Sequence, residues 1–361
     1  MKIGFIGLPK SGKTTLFNAL TGSAAAVSAT RAGRAEPNVA AIKVGDERIE
    51  RLSAIYKPKR IVYPVIDIVD FAGADPASGA GVGPVGPAAL SSDVVSLVRQ
   101  VDAVALVLRG FPSDLLGAAA PLADLRRIEE ELLIADLIVA EKRLEKIELG
   151  FKKGLRSPSL VAEEQVLRRV AAHLDGGHSL RELDLGDREL SLLRGFQFLT
   201  LKQALVILNS HESLFGKNGP LLEKLGAEYP AVEFAGEFEM ELSRLDDASR
   251  GDFMADMGLP ESAHDRLTAL AYEALGYISF FTVGEDEVRA WNVRRDATAL
   301  EAAAAIHSDL ARGFIAAECF ACEDLLAAGS ERAVKENGRF RLAGKDYAVR
   351  DGDILSIRFN V

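Results

Sequence analysis

The sequence predicts an α/β architecture: a mostly parallel sheet covered by helices, split by an inserted helical hairpin and followed by a small α+β unit. Three observations predict it. Short β-branched apolar runs alternate with helical segments in the first third and again after residue 200. Between about Pro121 and Leu199 apolar residues recur at three- and four-residue steps. From about Gly276 strand-like runs are punctuated by turn residues.

Taken in order, Ile3–Ile6 reads as a short buried strand, and a Gly-rich turn leads into a helix over about Lys13–Leu20. Ile61–Val69, Val101–Leu108, Ala204–Leu208 and Val232–Ala235 read as further core strands, because they are short and β-branched. Ala72–Ala89, rich in Gly, Pro and Ala, reads as a long loop of functional length. Leu125, Ile128, Leu132, Ala135 and Val139 form one helical stripe; Leu133, Leu137, Ala140, Leu144 and Ile147 form a second. A turn over Gly150–Pro158 and a returning helix over Leu160–Leu174 complete a hairpin. The sheet pattern resumes near Lys202, so the hairpin interrupts the first domain. In the tail, strands at Tyr277–Val283 and Glu287–Val293 precede a helix at Ala299–Ile306, with late hairpin signals at Gly344-Lys345 and Asp351-Gly352-Asp353. The expected division is 1–120 and 200–276 for the first domain, 121–199 for the hairpin and 277–361 for the tail.

Composition narrows the class. At 361 residues the chain exceeds one small core. A formal charge of −10 argues against a generally basic nucleic-acid coat, while leaving room for a local basic patch. The two cysteines, Cys319 and Cys322, give no disulfide framework and suit a reducing compartment. Cys-x-x-Cys without a second pair, in an apolar run, reads as core thiols rather than a metal site. No run of 18 apolar residues occurs, and the opening apolar run is too short for a secretory signal, so a cytoplasmic protein without membrane contact is expected.

The strongest chemical signal is Gly7-Leu8-Pro9-Lys10-Ser11-Gly12-Lys13-Thr14, followed by Thr15. It matches G-x-x-x-x-G-K-[ST] between a strand and a helix, the context that identifies a phosphate-binding loop. Glycines let backbone N–H groups converge on phosphate oxygens, and the helix N-terminus adds positive potential. Lys13 then reaches the β- and γ-phosphates, and the Thr14 hydroxyl is a Mg²⁺ ligand. Asp70 and Gly73, in Asp70-Phe71-Ala72-Gly73, end an apolar strand; they put a carboxylate near the metal and a glycine near the γ-phosphate, the alternative being a surface turn. Asn209-Ser210-His211-Glu212 follows the Ala204–Leu208 strand where GTPases carry N-K-x-D. Glu212 stands in place of Asp and Ser210 in place of Lys. A lost matched polar contact costs about 1–3 kcal/mol, so strict guanine specificity is not expected. On this reading Glu212→Asp with Ser210→Lys rebuilds the guanine motif; the competing reading is a helix cap.

These segments, with Glu36-Pro37-Asn38-Val39, Ala140-Glu141-Lys142-Arg143-Leu144-Glu145-Lys146 and the terminal Gly344-Lys345-Asp346-Tyr347…Asp351-Gly352-Asp353…Phe359-Asn360-Val361, resemble the YchF subfamily of Obg-like P-loop NTPases. Phe281-Thr282…Glu287-Val288-Arg289-Ala290-Trp291 and Ile306-His307-Ser308-Asp309…Gly313-Phe314-Ile315 resemble its C-terminal TGS domain. The resemblance runs nearly end to end. It implies a Ras-like nucleotide domain, an inserted coiled-coil hairpin and a ubiquitin-like β-grasp tail. It further implies Mg²⁺-dependent hydrolysis favouring ATP over GTP, with Asn-x-x-Glu at the base, and association with the ribosome, expected at its large subunit. A GTPase, or a nucleotide-gated binding module with negligible turnover, are the alternatives.

The chain departs from the family pattern at Arg34, which stands where a switch Thr senses Mg²⁺ and γ-phosphate, with Thr30 out of register, and at Lys10-Ser11, where the family usually reads Asn-Val. Ala74 stands where Ras-like enzymes carry a water-orienting Gln, and fits the family's habit of a hydrophobic residue there. Lys10 thus replaces an Asn. The resemblance implies that this Asn helps hold a monovalent cation beside the phosphates. Two readings of Lys10 stand: an internal cationic finger replacing that ion, or a solvated charge. Lys152, Lys153 and Arg156 at the hairpin tip are either an RNA-phosphate contact or a solvated turn. His307 is either a structural hydrogen-bonding residue or a partner contact, and Trp291 is expected in the tail core.

Overall fold

The computed structural model describes residues 1–22, 37–71, 82–83, 86–87, 90–113, 115–245, 247–256 and 261–360. The chain opens with β1 (Lys2–Ile6), α1 (Lys13–Thr21), β2 (Asn38–Lys43), α2 (Glu47–Tyr56), β3 (Arg60–Val62) and β4 (Val65–Asp70). A two-residue ladder, β5 (Val82–Gly83) with β6 (Gly86–Pro87), precedes α3 (Ser92–Val98), β7 (Ala103–Gly110), α4 (Pro121–Lys152) and α5 (Pro158–Asp175). Next come α6 (Asp187–Leu193), β8 (Gln203–Ser210), α7 (Gly219–Gly226), β9 (Ala231–Phe234), α8 (Gly236–Leu242), α9 (Asp247–Asp256) and α10 (Ala263–Ala274). The remainder is β10 (Tyr277–Thr282), β11 (Glu287–Arg294), α11 (Ala299–Ile306), α12 (Ser308–Arg312), β12 (Phe314–Ala321), α13 (Cys322–Ala328), α14 (Glu331–Glu336), β13 (Arg341–Ala343) and β14 (Asp353–Phe359).

Two compact units result. The first holds Met1–Ala41 and Asp67–Ala263. Its sheet has the order β2-β4-β1-β7-β8-β9, with parallel pairing from β4 through β9. β7 and β8 are buried along almost their whole length, which explains why they read as continuous apolar runs rather than alternating ones. Val104, Leu106, Leu108, Val206 and Leu208 anchor the core.

α4 is one helix with two packing partners. Its first half puts Leu125, Ile128 and Leu132 into the sheet core, and its second half packs Ala140 and Ile147 against Val166, Leu167, Val170 and Leu174 of α5. The two stripes of the sequence are therefore successive faces of one helix. Pro121 starts it at a position where a missing N–H costs nothing. Ser157 caps α5 by accepting from Leu160 N, with Pro158 beginning the helix. Where the two faces meet, fully buried Asp136 accepts from Leu199 N (3.0 Å), Thr200 N (2.8 Å), Thr200 Oγ1 (2.9 Å) and Arg99 Nη1 (3.0 Å). Burial pushes its carboxyl pKa up; those donors and the guanidinium oppose the shift. Asp136 thus joins the hairpin root to the end of α3 and to the approach of β8.

The second unit holds Ile42–Ile66 and His264–Val361. Its sheet has the order β13-β12-β14-β10-β11-β3. β10 and β11 form an antiparallel hairpin, and β14 lies between β10, to which it is parallel, and β12, to which it is antiparallel. That is the β-grasp arrangement. α11 covers one face with Ala299, Ala302 and Ala303, and starts at a capping box between Thr298 and Glu301.

Three expectations are corrected here. Ile61–Val69 is not one strand: Pro64, with no N–H to donate to a ladder, splits it into β3 and β4. β3 then pairs in parallel with β11, Arg60 opposite Glu287. Residues 42–66, expected within the nucleotide domain, belong to the tail unit instead, because α2 buries Ile49 and Leu52 beside Phe281, Val288, Phe320, Leu325 and Ile354. The late hairpin is also absent: β13 pairs with β12 and not with β14. Cys319 and Cys322 are buried thiols, and His307 caps α12 by accepting from Asp309 N, both within the expected structural readings. Trp291 is only half-buried; its Nε1 donates to Thr282 Oγ1 at 3.0 Å.

Candidate functional site

Gly7–Thr14 leaves the C-terminal end of the central strand β1 and opens α1. Its tightness is visible at Gly7, where a Cβ would sit 2.4 Å from the Val107 carbonyl oxygen, and at Gly12, which holds φ +87°. Both conditions demand glycine. Lys10 also takes a left-handed conformation (φ 63°) and is exposed, without a hydrogen-bond partner among the described residues.

Lys13 is buried and folds back over the loop: Nζ donates to Gly7 O at 2.7 Å and to Leu8 O at 3.1 Å. Burial lowers its pKa to about 8, against the attraction of Asp70. Thr14 Oγ1 donates to Asp70 Oδ2 at 2.8 Å, and Asn38 Nδ2 donates to the same oxygen at 3.3 Å. Asp70 is fully buried, and its Oδ1 has no hydrogen-bond partner among the described residues. A buried carboxylate oxygen without a donor, next to a hydroxyl, is a pair of hard oxygen ligands. The two fit an octahedral cation that takes its other ligands from phosphate and water; among the described residues no group of three or more His, Cys, Asp or Glu could hold a metal alone.

On the other side of the loop, Asn209 is 4% exposed. Its Nδ2 donates to Ser11 O at 2.9 Å and its Oδ1 accepts from Gly236 N at 3.0 Å. Asn209 therefore ties together the phosphate loop, the end of β8 and the start of α8. Glu212 is exposed on a single 3₁₀ turn, Glu212–Leu214, and its side chain bonds to none of these groups. Ser210 is buried and donates its hydroxyl to Glu233. The lysine that would rebuild N-K-x-D therefore cannot enter at 210 as a neutral exchange. Gly73, Arg34, Thr30 and Ala74 lie outside the described residues.

Sequence reasoning missed Asn38, Gly236 and Glu233. Asn38 lies within the family-like segment Glu36-Pro37-Asn38-Val39, where nothing local marks it as a partner of Asp70. Gly236 has no local signal; a Cβ there would come within 2.9 Å of Asn209 Oδ1. Glu233 has a faint one: an acid inside the apolar strand Ala231–Phe234. No described helix is long and apolar enough to cross a membrane.

A family model described as a 50S ribosome-binding GTPase matches residues 2–142. The YchF-GTPase C-terminal family, described as a protein of unknown function, matches residues 277–360. The chain is 35% identical over 370 residues to a protein of Haemophilus influenzae named ribosome-binding ATPase YchF, covering 100% of this chain and 99% of that one. A Bacillus subtilis protein of the same name is 34% identical over 369 residues, covering 99% of each. The solved structure of the Schizosaccharomyces pombe YchF GTPase superposes with a TM-score of 0.82 at 28% identity, over 99% of this chain and 97% of that one. With full-length identity of this order, and with the phosphate loop, Asp70 and the β-grasp unit in place, the chain belongs to the YchF family of P-loop NTPases.

Proposed function

We propose that the chain binds and slowly hydrolyses nucleoside triphosphates with Mg²⁺, favours ATP over GTP, and acts in the cytoplasm as a conformational switch on the ribosome. The observation that carries the reading is the convergence of Lys13, Thr14 and Asp70 at the carboxyl ends of β1 and β4. A triphosphate draws the Lys13 ammonium off the Gly7 and Leu8 carbonyls and onto the β- and γ-oxygens. The Thr14 hydroxyl and Asp70 would hold a Mg²⁺ ion, which would supply neutralisation of the charge developing on those oxygens. Asn209 holds the loop in shape, and Glu212, assisted by Asn209, reads the base edge. Glu at 212 and Ser at 210, in place of the Asp and Lys of N-K-x-D, support a relaxed preference.

The name that the bacterial relatives carry supports the ribosome as partner. The exposed tip residues Lys152, Lys153 and Arg156 are the proposed contact with RNA phosphate, at the large subunit. Arg34 and Ala74, where a switch Thr and a water-orienting Gln would stand, favour a second reading, a nucleotide-gated binder with negligible turnover. Single-turnover assays with ATP and GTP, with and without ribosomes, separate the two. The proposal expects ATP turnover that ribosomes accelerate. Tight binding with no turnover in either condition supports the binder, and faster turnover of GTP makes the chain a GTPase.

A further inference from the structure

The loop between β8 and α7 is held by a buried carboxylate on the neighbouring strand. Glu233 lies on β9, opposite Leu208 of β8, and is 7% exposed. Its Oε1 accepts from Ser210 Oγ at 2.6 Å and from Asn218 Nδ2 at 2.6 Å, and its Oε2 accepts from Gly216 N at 3.0 Å. Asn218 Nδ2 also lies 3.0 Å from Ser210 Oγ and 3.2 Å from Leu214 O. The carboxylate therefore grips the last residue of β8, a left-handed turn (Gly216, φ +74°) and the residue preceding α7. Among the described residues no cation pairs with it, so these three donors supply all of its compensation.

That has a mechanical consequence. A buried carboxylate stripped of its donors is costly, so any other course of residues 210–218 exposes Glu233 to that cost. Asn209, one residue before the loop, is already fixed to Ser11 and Gly236. Between these two anchors the chain presents Glu212 on its 3₁₀ turn. We propose that Glu233 is a positioning residue for base recognition: it fixes the 210–218 loop so that Glu212 meets the nucleobase, without itself touching the nucleotide. The inference rests on the reading of Glu212 as the base-side group.

The test compares ATP with inorganic tripolyphosphate, which engages the phosphate loop but has no base. Both are titrated with Mg²⁺ into the unmodified chain, Glu233→Gln, Ser210→Ala and the double variant Glu233→Gln/Asn218→Asp. Gln puts an amide NH₂ where an acceptor is required, and ATP affinity should fall about tenfold while tripolyphosphate affinity holds. Ser210→Ala removes one donor only and should give a smaller loss of the same kind, about threefold. In the double variant the amide nitrogen introduced on β9 donates to the carboxylate introduced before α7 and to the Ser210 hydroxyl. The amide oxygen accepts from Gly216 N, and since only the Leu214 carbonyl loses its donor, ATP affinity should return in part. An ATP-to-tripolyphosphate ratio unmoved in both single variants, or equal losses for both ligands with no recovery in the double variant, overturns the role of Glu233. If the unmodified chain holds ATP no tighter than tripolyphosphate, the base-site reading itself fails, and the inference with it.

Discussion

The Asn209 side-chain amide donates to the main-chain oxygen of Ser11 at 2.9 Å, across 198 residues of sequence. The end of β8 and the phosphate loop are thereby one mechanical piece, completed by Gly236 N on Asn209 Oδ1. Asn209→Ala orphans a buried carbonyl and a buried N–H, at about 1–3 kcal/mol each. Nucleotide affinity should fall about 10- to 100-fold, tripolyphosphate included, since the loop itself loosens. Gly12→Ala should do at least as much: its Cβ would lie 2.0 Å from Asn209 Nδ2 at a φ of +87°. Isothermal titration of both ligands checks this; an unchanged tripolyphosphate affinity in both variants would separate Asn209 from the loop.

Lys13 gives the site a pH dependence. Burial sets its pKa at about 8 without nucleotide. Below that value the ammonium is charged, and a triphosphate binds it directly. Above it the lysine must first take up a proton, so affinity should be flat to pH 8 and then fall by up to about tenfold per pH unit. Lys13→Arg keeps its charge and should lose this slope, whatever its absolute affinity. A wild-type profile flat from pH 7 to 10 would contradict the assignment.

Lys10 is exposed, left-handed and unpartnered among the described residues, so its ammonium is available to a bound phosphate. The finger reading predicts that Lys10→Ala loses at least about tenfold in turnover with little change in ATP affinity, because the charge matters most as the β–γ bridge bond breaks. It also predicts equal turnover in sodium and potassium. Potassium-stimulated turnover in the unmodified chain, or an unchanged rate in Lys10→Ala, would leave Lys10 a solvated charge.

The β-grasp unit is completed from the first fifth of the chain. Residues 277–361 alone would expose the face that Ile49 and Leu52 cover and lose the strand paired to β11. Expressed alone, that fragment should be unfolded or aggregated by circular dichroism and sedimentation. Joining 42–66 to 264–361 should restore a cooperative thermal transition. A well-folded 277–361 fragment would show that α2 and β3 are dispensable.

Legibility follows the range of the interactions. The phosphate loop, β1, α1 and Asp70 are readable because their signals are local: a spacing, a strand end, a pair of glycines with constrained backbone. The hairpin is readable from helical periodicity, although its two stripes suggest parallel faces and prove to be two consecutive ones. The partners of Asn209 and the donors around Glu233 are not readable, since each bond joins strands or loops distant in sequence. Nor is the tail's claim on 42–66. Ile61–Val69 reads as one apolar run, and only the missing N–H of Pro64 hints that its halves enter different sheets.

The central claim is that a Mg²⁺-triphosphate binds through Lys13 at the Gly7–Thr14 loop. Its most direct test is calorimetric titration of ATP with Mg²⁺ into the unmodified chain and Lys13→Ala, with circular dichroism confirming that both are folded. With Lys13 as the proposed partner of the β- and γ-phosphates, saturable binding is expected in the first and at least a 100-fold loss, about 3 kcal/mol, in the second. Equal affinities in the two proteins would contradict it and move the nucleotide site elsewhere.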